Sequence, residues 1–421
     1  MTKEKPMINL IMLGRTNYGK STLCGRLCVD LGAVPKEEFM RIKKHAAALD
    51  KKGMEFAFIM DKTLIERQRG ITIEIGYTGL ETKSKKINLM DPPGHVEFIR
   101  NLIAGVANAE VAALVLDVEE FNKKGIDKQI EEHLKIASIF GLNQLLVLIN
   151  KMDLISYSEK VYNLTKEKII KLLGKAGYSN ANSLTYIPIT ALNGENVLER
   201  SKNMPWYKGE TFIEALDNFK EPERMLNDPL RVPILRAYSI PDIGIVTAGK
   251  IQSGKIALGD KIIICPSFGM PVTATIASIE WQHRVVNSAE HGMDVGIAFK
   301  NISPTFNKRN IKKGYVLTNI KNPLKPVKKF WAELLVLDHP TEIKAGYIPL
   351  LYCQQARLPC KILKIESKSG TLKKEEKAIV EIEPLKSFVA ETEKVLPALG
   401  RFILREGDTT IAAGKIIKIE H

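Results

Sequence analysis

Gly14-Arg15-Thr16-Asn17-Tyr18-Gly19-Lys20-Ser21 fits the spacing G-x-x-x-x-G-K-[ST], whose residue types suit phosphate binding. Its glycines let the backbone curl until several amide N–H groups converge on phosphate oxygens, and Lys20 adds a point charge. The Ser21 hydroxyl is a hard oxygen ligand of the kind Mg²⁺ takes. In Asn150-Lys151-Met152-Asp153 a carboxylate can accept both the ring N–H and the amino group of guanine. Adenine has an acceptor where guanine has that N–H, and a buried polar group left unpaired costs about 1–3 kcal/mol, enough to favour GTP. Without the phosphate loop, those four residues would fit a helix N-terminus with an exposed Asp153 better. Asp91-Pro92-Pro93-Gly94-His95 offers a carboxylate for a water-mediated Mg²⁺ contact and the Gly94 N–H for a γ-phosphate. Between these segments, Arg69-Gly70-Ile71-Thr72-Ile73 offers Thr72 as a second hydroxyl for the cation. Each piece is weak alone; their order and spacing describe a GTP and Mg²⁺ site.

Such residues need elements that deliver them to one place. Apolar runs read as strands at Ile8–Leu13, Lys86–Met90, Val111–Val118, Gln144–Ile149 and Tyr186–Ile189. Helical patterns fall at Ser21–Leu31, Lys36–Ala48, Phe98–Gly105, Lys128–Phe140 and Ser158–Ala176. This alternation predicts an α/β fold with a mostly parallel sheet and the nucleotide loops at strand C-terminal ends. Glu221-Pro222-Glu223-Arg224 and Asn227-Asp228-Pro229 read as a polar linker. Beyond it, short period-2 strands with Gly and Pro punctuation predict all-β structure. Gly249 to Ile256 and Gly259 to Ile262 look like a barrel hairpin, Ser303 to Gly314 closes that barrel, and Lys321 to Pro326 marks a second boundary. Lys364 to Lys377 reads as a solvated hairpin tip. The expectation is a P-loop GTPase domain over residues 1–226, followed by two all-β barrel domains over 227–324 and 325–421.

A chain of 421 residues is long enough for two or three domains with sizeable cores. Hydrophobic content of 45% and charged content of 26% are ordinary for a globular protein, whereas a net charge of +14 is not. That charge suggests a polyanionic partner such as RNA, although a lysine-rich proteome or a membrane surface would also fit. No stretch approaches ~18 uninterrupted apolar residues and no signal peptide precedes the first strand, so a cytoplasmic location is expected. Five cysteines are scattered. Cys24 and Cys28 share a helix face without further ligands at metal-site spacing, so core packing is expected of them, and Cys353 and Cys360 are expected to be thiols.

With these motifs in place, the chain resembles translational GTPases of the elongation factor 1-alpha and elongation factor Tu family, nearly end to end. The archaeal and eukaryotic branch is indicated by Asp61-Lys62, by Glu66-Arg67-Gln68-Arg69-Gly70-Ile71-Thr72-Ile73 and by Met204-Pro205-Trp206-Tyr207-Lys208-Gly209 followed by Glu214-Ala215-Leu216-Asp217. Ala345-Gly346-Tyr347 and Gly400-Arg401-Phe402 point the same way. The resemblance implies GTP/GDP contacts from Gly14, Asn17, Tyr18, Gly19, Lys20, Ser21, Thr22, Asp91, Gly94, Asn150, Lys151 and Asp153. It places Thr190-Ala191-Leu192 as a third guanine loop, Ser21 and Thr72 on Mg²⁺, and His95 as the catalytic residue that orients water. It implies contacts of Arg100 and Asn101 with the 5′ end of transfer RNA. Implied partners are aminoacyl-tRNA, the ribosome and a nucleotide exchange factor, with no membrane or DNA, for a monomeric protein.

Within this family two functions compete: delivery of aminoacyl-tRNA during elongation, and delivery of a tRNA-shaped release or ribosome-rescue protein by a paralog. Gly249-Lys250-Ile251, Gly400 to Arg405 and Ile411-Ala412-Ala413-Gly414 fit the second also. Compact length, with no extension before the first strand, favours elongation. A GTPase partner of a sulfate-activating enzyme matches the last domain poorly. The phosphate loop departs from the family. Gly14-Arg15-Thr16-Asn17 stands where Gly-His-Val-Asp is usual, Tyr18 follows, and Pro92 replaces a Thr, Ala or Cys. The family's Val and an Ile (Ile71 here) form an apolar gate restraining the catalytic His, so Thr16 loosens that gate and Asn17 removes a carboxylate near the phosphates. Thr16→Val is therefore expected to return intrinsic hydrolysis to the family's range, read as a single-turnover rate; an unchanged rate would end the idea.

Overall fold

A computed structural model describes residues 5–421 apart from 52, 62, 70, 71, 96–98, 126, 222, 223, 267–271, 282, 283, 303–310, 338, 340 and 408, and describes only the backbone of Leu64, Ile99, Arg100, Ala104 and Lys124. The chain forms two compact units, Met1–Pro222 and Glu223–His421.

The first unit is built on a six-stranded sheet in the order β2-β3-β1-β4-β5-β6. Its strands are β1 (Met7–Leu13), β2 (Gly76–Glu81), β3 (Lys86–Asp91), β4 (Val111–Asp117), β5 (Leu145–Asn150) and β6 (Thr185–Pro188). All pairings are parallel except β2 with β3. β4 and β5 are buried along their whole length because both sheet faces are covered, which is why they read as unbroken apolar runs. The helices are α1 (Lys20–Asp30), α2 (Lys36–Ala48), α3 (Ala57–Met60), α4 (Leu64–Arg69), α5 (Ile99–Asn108), α6 (Val118–Lys124), α7 (Lys128–Ile139), α8 (Glu159–Lys175) and α9 (Phe212–Asp217). The sheet order reverses at β1, between β3 and β4, so a crevice opens at the strand C-terminal ends beside the phosphate loop.

Three local features differ from expectation. The fourth strand stops at Asp117 rather than Val118, because the Asp117 carboxylate accepts from the Glu119 and Glu120 N–H groups and starts α6. β2 was not anticipated; its two glycines in six residues blunt the alternation signal. The capping box of Thr211 and Glu214 starts α9, which is too short to show a helical period. Cys24 and Cys28 are buried in the core against β1 and β3 residues.

The second unit holds two barrels. One closes through β10-β15-β7-β8-β14-β11, with β11 returning to β10. Its strands are β7 (Val232–Ile240), β8 (Gly244–Lys250), β10 (Lys261–Cys265), β11 (Val272–Trp281), β14 (Asp294–Lys300) and β15 (Val316–Asn319), with β12 (Arg284–Val286) at the edge and β9 (Lys255–Ala257) paired to β13 (Ser288–Glu290). The expected hairpin between Gly249–Ile256 and Gly259–Ile262 is therefore not formed. β8 pairs with β7 and β14, and β10 with β11 and β15, since an alternation pattern identifies a strand but not its neighbour. Of the expected closing segment Ser303 to Gly314, residues 303–310 lie outside those described, as do Pro222 and Glu223 of the expected linker.

The other barrel closes as β16-β21-β19-β18-β22-β23. These are β16 (Lys329–Val336), β18 (Leu350–Cys353), β19 (Ala356–Glu366), β21 (Lys377–Pro384), β22 (Arg401–Glu406, after α10 at Pro397–Gly400) and β23 (Thr409–Glu420). Residues 364–377 join antiparallel β19 and β21, and carry β20 (Thr371–Leu372) paired with β17 (Ile343–Lys344). All five cysteines are buried free thiols, and burial pushes Cys353 and Cys360 up to about 12. The barrels share an apolar seam that includes Ile263, Cys265, Val389 and Leu399. Beside it, Arg231 Nε and Nη2 donate to Glu391 Oε1 at 3.0 and 2.8 Å, and Nη1 donates to the Leu230 and Asn322 carbonyls. Arg231→Met is expected to lower the stability of this unit by about 2 kcal/mol, because charged hydrogen bonds across a half-buried seam are lost. Urea denaturation of the full chain measures it; an unmoved midpoint would assign the seam to apolar packing alone.

Candidate nucleotide site

At the end of β1 the chain turns through Gly14 (φ 137°), Asn17 (φ 67°) and Gly19 (φ 93°) before entering α1. Gly19 has no room for a side chain: a Cβ there would strike the Asn150 amide nitrogen. Among the described residues no side chain caps α1, and its first turn holds no acidic residue, so its N–H groups and positive dipole end are open to an anion. They open into a cavity of about 440 Å³ whose phosphate end is lined by Thr16, Asn17, Gly19, Lys20, Ser21, Thr22 and Gly94. Lys20 is 6% exposed and its Nζ donates to the Arg15 carbonyl at 3.1 Å. Burial pulls its pKa down and the charge of Asp91 opposes this. A buried ammonium with one neutral partner is a strong attractor for phosphate.

Next to Lys20 lies a corner made of oxygen donors. The Thr72 hydroxyl donates to Asp61 Oδ1 at 3.0 Å, and the Ser21 hydroxyl lies 3.0 Å from Thr72 Oγ1. Asp61 is buried, and burial pushes its carboxyl up to about 7, aided by Asp91 and opposed by the Thr72 hydrogen bond. Asp91 is buried, and among the described residues neither carboxylate oxygen makes a hydrogen bond of good geometry, although the Ser21 hydroxyl is a donor beside it. Burial raises its pKa, while Lys20 and the Ser21 hydroxyl lower it. Two hydroxyls and two buried carboxyls fit a hard cation such as Mg²⁺. Among the described residues no three His, Cys, Asp or Glu side chains converge, so such a cation would keep phosphate and water ligands.

The opposite end of the cavity is framed by Asn150, which is buried at the end of β5. Its Nδ2 donates to the Tyr18 carbonyl at 2.9 Å and its Oδ1 accepts from the Ala191 N–H at 3.0 Å. One amide thus ties the phosphate loop to the loop after β6. Lys151 takes a left-handed conformation (φ 64°), and its Nζ pairs with Asp117 Oδ2 at 2.7 Å. Asp153 and Leu154 follow on a 3-10 turn, exposed at the cavity wall, opposite Thr190, Ala191 and Leu192. Leu154 and Leu192 are about half exposed, which leaves apolar surface for a planar base to cover.

The Elongation factor Tu GTP binding domain family matches residues 5–222, and the GTP-eEF1A C-terminal domain-like family matches residues 329–417. Elongation factor 1-alpha of Methanocaldococcus jannaschii is 38% identical over 432 residues, spanning 100% of this chain and 99% of that protein. The Archaeoglobus fulgidus protein of the same name is 37% identical over 431 residues, with the same coverage. The chain belongs to the elongation factor 1-alpha family. Like its relatives it is a translational GTPase of the elongation type, and it binds guanine nucleotides. The GTP-bound Ski7 GTPase-like domain of S. cerevisiae superposes with a TM-score of 0.83 at 22% identity over 98% of both chains. SelB of Methanococcus maripaludis superposes at 0.69 and 21% identity, covering 100% of this chain and 80% of that one. These two likenesses show the shared fold.

In this elongation factor 1-alpha relative, thirteen of the residues expected around nucleotide and cation line one cavity: Asn17, Gly19, Lys20, Ser21, Thr22, Thr72, Gly94, Asn150, Lys151, Asp153, Thr190, Ala191 and Leu192. Gly14 and Tyr18 stand behind it. A Cβ on Gly14 would strike the Val115 carbonyl, and Tyr18 gives its own carbonyl to Asn150 while its ring is buried, raising the phenol to about 12. Asp91 is buried outside the lining, and His95 follows Gly94, half-buried and also outside it. The Asn101 amide donates to the Ile73 carbonyl at 2.7 Å, so it holds the segment that carries Thr72. The Arg100 side chain, Gly70, the gate residue Ile71 and Lys62 lie outside what is described. Sequence reasoning assigned no site role to Asp61, Met54 or Leu154, because no motif spacing marks them; only the folded chain brings them to the wall.

The barrel unit holds a second cleft, of about 250 Å³, that no motif announced. Among the described residues Lys312, Lys313, Arg357 and Lys386 line it and no carboxylate does. Burial lowers the pKa of Lys313, and Arg236 adds to this.

Asn150→Ala is expected to leave a carbonyl and an N–H buried without a partner. The nucleotide-free protein should lose about 2 kcal/mol in urea denaturation, and its GTP affinity should fall with it. Stability equal to wild type would show that the two loops do not depend on this amide.

Proposed function

We propose that this chain is a GTP-dependent carrier that brings aminoacyl-tRNA to the ribosomal A site and releases it when GTP is hydrolysed. The full-length relationship to elongation factor 1-alpha proteins carries this reading. In it, the GTPase domain spans residues 1–226 and the barrel domains 227–324 and 325–421. The protein acts as a monomer in the cytoplasm and meets a nucleotide exchange factor. Among the described residues no helix is long and apolar enough to cross a membrane.

At the site, Asp153 accepts the guanine ring N–H and amino group, while Leu154 and Leu192 cover the base. The first-turn amides of α1 and Lys20 hold the phosphates. Ser21 and Thr72, supported by Asp61 and Asp91, hold Mg²⁺. The bound cation would neutralise negative charge between the β- and γ-phosphates. Phosphoryl transfer then needs little beyond positioning and charge stabilisation. Gly94 donates its N–H to the γ-phosphate, and His95 holds the attacking water in line without having to act as a base. Loss of the γ-phosphate removes the partner of Gly94 and loosens the Thr72 segment.

Two observations support RNA as the cargo: the net charge of +14, and the cleft of four cations without a carboxylate in the barrel unit. Arg100 is a contact for the tRNA 5′ end; Asn101 acts beside it by holding the Ile73 carbonyl. In the test, the GTP form is mixed with aminoacyl-tRNA and hydrolysis of the ester bond is followed. Protection is expected with GTP and not GDP, falling steeply with salt. Lys313→Ala should weaken it and reduce the log-log salt slope by about 1. No protection, together with binding to a tRNA-shaped release or rescue protein, would replace this reading with the paralogous one.

A further inference from the structure

The unusual residues of the phosphate loop close a circuit around Gly94. Arg15 stands where the family pattern has His, and its Nη1 lies 3.1 Å from Glu120 Oε1 and 2.8 Å from Asp127 Oδ2. All three side chains are between a fifth and a third exposed, so solvent screens the pair less than a surface ion pair. Glu120 sits on α6. Asp127 begins α7, where its Oδ1 accepts from the Gln129 N–H at 2.8 Å. The Gln129 side chain then reaches back, and its Nε2 donates to the Gly94 carbonyl at 2.6 Å. Gly94 in turn lies on the Arg15–Thr16 peptide: a Cβ there would come within 2.6 Å of Thr16 N and 2.7 Å of Arg15 C. The Arg15 carbonyl already holds Lys20 Nζ.

The Gly94 carbonyl belongs to the same rigid plane as the His95 N–H, because the peptide bond does not rotate. Gly94 has no side chain with which neighbours could fix that plane. The hydrogen bond from Gln129 therefore sets the direction in which the chain leaves Gly94 towards His95. Arg15, through Asp127, fixes the helix turn from which Gln129 reaches. A rim ion pair that merely kept α6 and α7 folded would have no need to end on this carbonyl.

We propose that Gln129, braced by the Arg15–Asp127 ion pair, is a positioning residue for hydrolysis: it orients the Gly94–His95 peptide against the phosphate loop. This rests on the reading of Gly94 and His95 given above. The pair acts on the chemical step more than on nucleotide binding, since neither Gln129 nor the Arg15 guanidinium lines the cavity.

The test uses the full-length chain loaded with GTP and Mg²⁺. Single-turnover hydrolysis and GTP dissociation constants are measured for Gln129→Met, Arg15→Met, Asp127→Asn and the Gln129→Met/Arg15→Met double variant. Asp127→Asn keeps the helix cap while removing the charge. Each single variant should slow hydrolysis about three- to tenfold with a dissociation constant changed by less than about twofold, and Arg15→Lys should recover part of the rate. The double variant should be no slower than the slower single one, as members of one chain of contacts are not additive. Rates equal to wild type, additive losses, or affinity falling in parallel with rate would each overturn the clasp. A wild-type chain that hydrolyses no bound GTP would overturn the site reading as well; normal wild-type hydrolysis with unaltered variants overturns the clasp alone.

Discussion

Three loops far apart in the chain meet on the side chain of Asn150. Its amide nitrogen holds the Tyr18 carbonyl and its oxygen holds the Ala191 N–H, both out of water. The geometry of phosphate end and base end is therefore set together. Gly19 exists as glycine because the same amide fills the space where a Cβ would go. The cavity is thus preorganised by hydrogen bonds that carry no charge.

The charged groups behave differently. Lys20, Asp61 and Asp91 are all buried and each is pushed towards its neutral form by desolvation. Buried ions with incomplete partners are destabilising on their own and become favourable when counter-charges arrive. An anion over the uncapped start of α1 and a cation among Ser21, Thr72, Asp61 and Asp91 would supply those counter-charges together. The anion would favour the charged form of Lys20 and the cation the ionised forms of Asp61 and Asp91, and attraction between the two ligands would couple their binding. The barrel unit shows the complementary arrangement, where Arg231 is satisfied by Glu391 and two carbonyls and the two barrels share one apolar seam. A cleft left with cations alone stands out against that background of paired charge.

Much of this was legible in the residues before folding. Parallel strands buried on both faces announce themselves as apolar runs, so β1, β3, β4, β5 and β6 were placed to within a residue or two, and Lys36–Ala48 was placed as a helix with the observed ends. The motif residues are legible because their chemistry demands side-chain types at fixed spacing. The false hairpin in the first barrel has the opposite origin. Period-2 alternation fixes which face a residue takes, while partner choice depends on distant segments, so β8 and β10 could not be assigned neighbours from their own residues. The site roles of Asp61, marked in the sequence only by resemblance, and of Gln129 were not legible for a similar reason: neither role has a local pattern, and each arises from a contact outside its own segment.

Residue order alone carried the guanine and phosphate chemistry, since short loops at strand ends dictate their own backbone and donor groups. Folding alone decided how those loops face one another: the Asn150 bridge, the Thr72–Asp61 pair and the path from Arg15 to Gly94 join positions from 11 to 132 residues apart. Local patterns record what a segment prefers by itself. Contacts between segments depend on the closure of the whole sheet, and no window of neighbouring residues contains that information.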